Sequence, residues 1–202
     1  MKIKIIRDPY DKRKYLYKSS FIDLSNGATV IIGHNGSGKT TLLRQIETYC
    51  KDNTIPFIKY DNYGDGGSAA KEHYGFTGDF ASLAATSFHS EGEQIFYNFG
   101  KIVKKMGAFV EQNKDLEKIF ILLDALDSGL DIEGIEQIKS IFNIIMSERE
   151  GKETYILITA NNYGLIHNMQ CYDVVSGEHK LFTDFEDYKK FILKQYEEKR
   201  NE

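Results

Sequence analysis

A glycine-rich loop between an apolar segment and an amphipathic segment constrains the fold of this chain more than any other feature. The apolar segment, ATVIIG at 28–33, is typical of a buried strand that ends in glycine. The loop follows as GHNGSGKT at 33–40, which fits the pattern G-x-x-x-x-G-K-[ST]. From Gly38 to about Cys50 apolar residues recur at helical spacing, so a helix is predicted behind the loop. Such a strand–loop–helix unit indicates an α/β fold.

The chemistry that this loop supports is the binding of phosphate. Its glycines let the backbone curl so that successive N–H groups point at phosphate oxygens, and the helix behind it adds the positive end of its dipole. Lys39 supplies a charge for β- and γ-phosphates, and the Thr40 hydroxyl is a ligand for Mg²⁺. We call residues 33–40 the phosphate loop. The residues expected to bind the nucleotide there are Gly33, Asn35, Gly36, Ser37, Gly38, Lys39, Thr40 and Thr41.

Strands and helices alternate along the rest of the chain, which predicts a mostly parallel, helix-covered sheet with an antiparallel N-terminal part. One compact domain is expected over residues 1–202, with a variable insert at 52–90. The predicted strands are 2–7, 28–33, 55–60, 119–124 and 155–160, with a late hairpin that turns at 176–178. Besides the helix behind the loop, three more helices are predicted, the first from about Ser90. The second covers 132–147, and its inward residues are Ile132, Ile135, Ile138, Ile141 and Ile145. The third starts at a capping box, Thr183 to Glu186, and its buried residues are Tyr188, Phe191, Ile192 and Tyr196.

Composition narrows the class of protein. No apolar run approaches the roughly 20 residues that a membrane span requires, and the N-terminus lacks the apolar core of a secretory signal. The two cysteines form no metal or disulfide pattern. A cytoplasmic protein without membrane contact is therefore expected. Residues 1–18 carry seven basic against two acidic side chains although the chain has a net charge of −4, so this segment is either a solvated hairpin edge or a contact for nucleic acid.

Four motifs occur in order along the chain: GHNGSGKTT (33–41), SEGEQ (90–94), ILLDALDSGLD (121–131) and YILITANN (155–162). Together they resemble the nucleotide-binding domain of ABC-class P-loop ATPases, and in particular its soluble branch of SMC-type heads. The segment 52–89 has no heptads, so no coiled coil is expected there. The resemblance implies ATP as the nucleotide and Asp124, at the end of an apolar strand, as the partner of Thr40 in holding Mg²⁺.

The resemblance also implies a second copy of the chain. In the family, the serine and glycine that match Ser90 and Gly92 bind the γ-phosphate held by the other subunit, so an ATP-dependent homodimer is expected. Asp131 would lie at that seam and can also cap the helix that begins at Ile132. Taken alone, Ser90 and Glu93 form an ordinary capping box at the start of a helix. Ser90 can cap the helix and bind phosphate at the same time, so the two interpretations are compatible.

The departures from the family pattern all fall on positions that the family uses for the hydrolysis of ATP. Ala125 stands where the family has its general base, a glutamate, and the loss of a positioned base costs roughly 10²–10⁴-fold in rate. Ala160 stands at the position of the switch histidine, where Asn161 is the nearest group that can bond to a phosphate or a water. The expected glutamine after the strand at 55–60 is absent, and Asp61 or Asn62 lies there as a candidate for the metal. Asp127 is a candidate substitute base, although a turn-forming role beside Ser128 and Gly129 is the favoured interpretation.

Three hypotheses follow from these observations. The first is a dimerising switch that binds ATP and Mg²⁺ and hydrolyses ATP slowly or not at all. The second is an active ATPase in which Asp127, Asp61 or a partner's residue replaces the base. The third is an ATP-regulated module that contacts nucleic acid through residues 1–18 and through Lys101, Lys104 and Lys105. For adenine, Tyr15 or Tyr17 is a candidate for stacking, and packing against neighbours is the alternative role of both.

Overall fold

Near-continuous apolar strands form the centre of the molecule. The computed structural model describes residues 1–10, 15–61, 91–127 and 130–200, with the side chains of 91–99 outside the description. Segments such as KIFILLD and ETYILIT are apolar on both faces, as expected of strands covered by helices on both sides. The strands are β1 (Lys2–Lys4), β2 (Phe21–Asp23), β3 (Gly27–Ile32), β4 (Phe57–Asp61), β5 (Lys118–Asp124), β6 (Glu153–Thr159), β7 (Gln170–Asp173) and β8 (Glu178–Lys180).

Six of these strands form one sheet in the order β4-β5-β6-β3-β7-β8. The first five run parallel, and β8 is antiparallel to β7 as the predicted late hairpin requires. The strands β1 and β2 form a separate antiparallel pair. The predicted fold class, an α/β P-loop fold with a mostly parallel sheet and an antiparallel N-terminal part, is therefore confirmed.

Helices cover both faces of the six-stranded sheet. The face that carries Ile31, Leu122 and Leu157 packs against α1 and against the β1–β2 pair. The opposite face, with Val30 and Ile121, packs against all the other described helices. The helices are α1 (Lys39–Asp52), α2 (Glu91–Gln112), α3 (Ile132–Glu148), α4 (Tyr163–Ile166) and α5 (Phe185–Arg200).

Three details of the predicted elements are wrong. The first strand ends at Lys4, well before residue 7. Ile132 is 83% exposed because it is the first residue of α3, and the first buried side chain of that helix is Ile135. The last helix begins one residue later than its predicted box implies, because Asp184 caps it by accepting the N–H groups of residues 186 and 187.

The predicted domain organisation, one domain over 1–202 with an insert at 52–90, stays a prediction. Residues 62–90, which make up most of that insert, lie outside the described part of the chain. Within the described residues, none of the helices combines the length and the apolar run that crossing a membrane needs.

Candidate functional site

The carboxyl edge of the parallel sheet carries a cleft of about 340 Å³. Parallel neighbours end together at such an edge, so the phosphate loop after β3 meets the end of β5 and the end of β6 there. The cleft is lined by the phosphate loop with Thr41, by the ends of β5 and β6, and by two residues of the N-terminal segment. The side chains outside the loop that line it are Tyr10, Leu16, Thr41, Asp124, Ala125, Thr159 and Asn161.

The phosphate loop has a backbone that only glycine adopts without strain at its key points. Gly38, directly before α1, has a φ of 95°, and a Cβ there would lie 2.7 Å from Leu16 Cδ2 and 2.9 Å from Tyr17 Oη. Gly33 has a φ of 148°, and a Cβ there would lie 2.6 Å from Ser37 Oγ. The glycines therefore serve both the curl of the loop and its close packing, as the pattern predicted.

The side chain of Lys39 folds back over the phosphate loop. Its Nζ donates to the carbonyl oxygen of Gly33 at 2.7 Å and to that of His34 at 3.3 Å. Burial lowers the pKa of Lys39, while the nearby carboxylates of Asp127 and Asp124 act in the opposite direction. The ammonium group is thus held over the loop by backbone dipoles, in the place where an anion would attract it.

Thr40, Asp124 and Thr159 form a hydrogen-bonded group at the floor of the cleft. Asp124 Oδ1 accepts from Thr40 Oγ1 at 3.0 Å and from Thr159 Oγ1 at 2.6 Å. Thr159 Oγ1 in turn accepts the N–H of Ala125 at 2.7 Å. A carboxylate and a hydroxyl side by side are hard oxygen donors of the kind that Mg²⁺ takes, and Mg²⁺ keeps several waters besides such protein ligands. The residues present therefore fit a magnesium ion.

Ala125 lies at the edge of this group and lines the cleft. Its φ is 51°, a left-handed conformation that costs a non-glycine residue about 1–2 kcal/mol. The hydrogen bond from its N–H to Thr159 holds it in place. The side chain that faces the cleft here is a methyl group, which accepts no proton. Ala160, the residue after β6, is buried.

Asp127 anchors the chain that follows β6. Its Oδ2 accepts the N–H of Asn161 at 2.7 Å and the N–H of Asn162 at 2.6 Å. Its carbonyl oxygen accepts the N–H of Leu130 at 3.3 Å, while Ser128 and Gly129, beside which the sequence suggested a turn, lie outside the described residues. The carboxylate therefore has a positioning role for Asn161, which lines the cleft.

Other predicted site residues lie further from the cleft or outside the description. Asp61 is in register with Asp124 on the neighbouring strand, but its carboxylate lies 3.8 Å from Lys59 Nζ and does not line the cleft. Asp131 caps α3, with Oδ1 accepting the N–H of Gly134 at 2.8 Å. Ser90 lies outside the described residues, and Gly92 lies in the first turn of α2.

The three tyrosines near the phosphate loop differ in their exposure and in their contacts. Tyr17 is 1% exposed and donates its hydroxyl to the carbonyl oxygen of Gly38 at 2.9 Å, so its ring is unavailable for a base. Tyr15 is exposed, and the Arg7 guanidinium lies 3.8 Å from its ring centre. Tyr10 lines the cleft with its Oη 2.7 Å from Thr41 Oγ1.

Two basic side chains of the N-terminal segment make contacts within the fold. Arg7 Nε donates to the carbonyl oxygen of Tyr17 at 3.1 Å, and Lys2 Nζ lies 4.8 Å from the centre of the Phe21 ring. Residues 11–14 lie outside the description. The lysines named with this segment, Lys101, Lys104 and Lys105, are exposed on α2. Contact with nucleic acid stays a prediction.

Sequence reasoning missed Thr159 and Tyr10. A threonine that ends a strand beside the strand of Asp124 was the available signal for Thr159, because ends of parallel strands lie together. Tyr10 had no comparable signal, since its place depends on how the N-terminal segment crosses α1.

Comparisons with known proteins find similarity among solved structures. No protein-family model matches the chain, and no curated protein matches it. Among solved structures, the chain is similar to CbiO1 from Clostridium perfringens, described as part of the ABC transporter complex CbiONQ. The identity is 14%, the match covers 89% of this chain and 86% of that chain, and the TM-score is 0.47.

Proposed function

We propose that this chain is an ATP-binding, ABC-like protein that acts as an ATP- and Mg²⁺-dependent dimerising switch, with slow or no hydrolysis, in the cytoplasm. One observation carries the proposal. Lys39, Thr40 and Asp124 line one cleft. Ala125, which stands at the position of the family's general base, contributes only a methyl group to it.

The phosphate loop supports the binding part of the proposal. Its N–H groups and the start of α1 provide a concave donor surface for phosphate oxygens. The carbonyl oxygens of Gly33 and His34 hold Lys39 Nζ over the loop, and the third N–H of the ammonium group donates to a phosphate oxygen when the nucleotide binds. Mg²⁺, when bound, neutralises phosphate charge, and Thr40 with Asp124 would hold it.

The switch part of the proposal is supported by Ala125 and Asp127, because neither is suited to act as a general base in ATP hydrolysis. A base has to lie within hydrogen-bond reach of the attacking water. Ala125 offers no acceptor in its side chain, and Oδ2 of Asp127 already accepts two backbone N–H groups. ATP therefore stays bound long enough to hold two copies together, with Ser90 and Gly92 of one copy facing the phosphates of the other and Asp131 at the seam.

An active ATPase with Asp127 as substitute base is the second candidate. The observation that favours it is the hydrogen bond from the N–H of Asn161, which lines the cleft, to Asp127 Oδ2, because it puts this carboxylate at the edge of the cleft. The variant Asp127→Asn keeps an oxygen for the N–H groups of Asn161 and Asn162 but removes the basic carboxylate. The switch predicts an unchanged rate of phosphate release from this variant, whereas the second candidate predicts a rate at least about 100-fold lower.

Calorimetric titration with ATP and Mg²⁺ tests the binding part. The wild type should bind, and Lys39→Ala should weaken binding by about 100-fold because a charge-assisted contact is lost. Lys51→Ala is the matched control, since this lysine lies on the same helix and pairs with Glu47 at the surface. Equal affinities for the Lys39 variant and its control, or a wild type that binds no ATP, would contradict the proposal.

A further inference from the structure

The C-terminal helix α5 makes a buried polar contact with the phosphate loop. Gln195 is 6% exposed, and its Oε1 accepts the N–H of His34 at 3.0 Å. Its Nε2 donates to Asp173 Oδ1 at 2.9 Å. One side chain thus joins the end of β7 to the second residue of the loop.

The orientation of the Gln195 amide is determined by its neighbours. Asp173 is 2% exposed and also accepts the N–H of Val175 at 3.0 Å and the hydroxyl of Ser176 at 2.7 Å. A carboxylate only accepts hydrogen bonds, so the amide nitrogen of Gln195 has to face Asp173. The amide oxygen is then left to face His34, and it can accept there.

This contact orients the peptide group that holds Lys39. The N–H of His34 and the carbonyl of Gly33 belong to one planar trans peptide, so they point in opposite directions. With the N–H directed outward to Gln195, the carbonyl is directed inward, where it accepts from Lys39 Nζ at 2.7 Å. Gly33 has no side chain to prevent rotation of this peptide, and Gln195 supplies the missing restraint.

Three further side chains of α5 bond to the segments around the cleft, among them Tyr196, whose Oη accepts the N–H of Asn35 at 3.4 Å. Lys199 Nζ donates to the carbonyl oxygen of Asn35 at 3.2 Å. Tyr188 Oη donates to the carbonyl oxygen of Asn161 at 3.2 Å. The helix therefore contacts both the phosphate loop and the segment that follows β6.

We propose that Gln195 is a positioning residue of the nucleotide site, which fixes the peptide between Gly33 and His34 and thereby directs Lys39 to the phosphates. The affinity for phosphate-bearing ligands then depends on the C-terminal helix. For ATP as the ligand, this inference rests on the proposed function. The effect on the loop itself does not.

The test compares Gln195→Met with Lys194→Met. The first variant fills a similar volume without a hydrogen bond, and the second makes the same kind of change at an exposed neighbour that pairs with Glu198 at 3.9 Å. In the nucleotide-free protein, hydrogen exchange at the His34 amide should become at least about tenfold faster in Gln195→Met, because its acceptor is gone. Affinity for ATP with Mg²⁺ should fall by about tenfold, and Lys194→Met should change neither.

The outcomes separate this inference from the proposed function. Unchanged exchange at His34, or faster exchange with unchanged ATP affinity, would overturn the positioning role. If the wild type binds no ATP but Gln195→Met still speeds exchange at His34, the proposed function fails and the restraint on the loop stands. The wild type gives a check that needs no variant, since rapid exchange at its His34 amide would also overturn the inference.

Discussion

At the residue scale, one hydroxyl group organises the floor of the cleft. Thr159 Oγ1 donates to Asp124 and accepts from the N–H of Ala125, so it both orients the carboxylate and holds the backbone of Ala125. Thr159 is 3% exposed, and these two bonds are its means of remaining satisfied in the core. The direction of the Asp124 carboxylate therefore depends on a neighbouring strand.

The variant Thr159→Val tests this role. Valine has nearly the same shape but no hydroxyl, so the N–H of Ala125 loses its acceptor and Asp124 loses a donor. We expect a loss of about 1–3 kcal/mol in the free energy of unfolding and weaker Mg²⁺-dependent ATP binding. Denaturant titration and ATP titration with and without Mg²⁺ measure the two effects. Thr48→Val, whose hydroxyl bonds within α1, is the control, and equal behaviour of both variants would contradict the role.

Ala125 itself is the second residue-scale test. In Ala125→Glu a carboxylate enters the cleft beside Asp124, so we expect phosphate release from ATP to become about 100-fold faster or more, as a positioned base allows. Ala125→Gln adds the same bulk without a basic group and should leave the rate unchanged. A rate that rises equally in both variants, or in neither, would show that the missing base is not what limits turnover.

At the element scale, a buried arginine joins α3 to the edge of the sheet opposite the cleft. Arg149 is 1% exposed, and it donates to Thr154 Oγ1 at 2.8 Å and to the carbonyl oxygens of Asn113 and Leu116 at 2.8 and 2.7 Å. Burial lowers the pKa of Arg149. Carbonyl oxygens of the segment between α2 and β5 are thus satisfied by the side chain of the residue that follows α3.

Removing this contact should affect stability but not binding. Arg149→Met leaves the buried hydroxyl of Thr154 and two backbone carbonyl oxygens without their donor, so we expect the free energy of unfolding to fall by about 2–4 kcal/mol in a denaturant titration. ATP affinity should not change, because Arg149 lies at the amino end of β6, roughly 15–20 Å from Thr159. Lys190→Met on the exposed face of α5 is the control, and a loss no larger than the control's would refute the structural role.

The sequence predicted the elements whose signals are local. The glycines and the lysine of the phosphate loop encode their own conformation and chemistry, and the apolar period marks α1 directly behind them. The exposed Ile132 was mispredicted because periodicity does not show where a helix first reaches the sheet. The contact between Gln195 and His34 joins residues 161 positions apart, and no local pattern marks either of them. Such contacts arise from tertiary packing alone.

At the scale of the whole molecule, the proposed switch needs two copies of the chain, each of which would provide half of the nucleotide site. The phosphate loop, Thr40 and Asp124 lie on one side of the nucleotide position, and the proposed second half comes from the start of α2 in another copy. Asp131 begins α3 at an exposed turn, next to the exposed Ile132. In this account ATP joins two copies, and the lack of a base at Ala125 keeps them joined.

The most direct test of this account is the mass and nucleotide content of the purified protein incubated with ATP and Mg²⁺. Light scattering on a size-exclusion column gives the mass, and analysis of the same peak identifies its nucleotide. We predict a dimer that retains unhydrolysed ATP, and a monomer when ATP is omitted. A monomer with bound ATP, or a protein that has converted its ATP to ADP within minutes, would contradict the central claim.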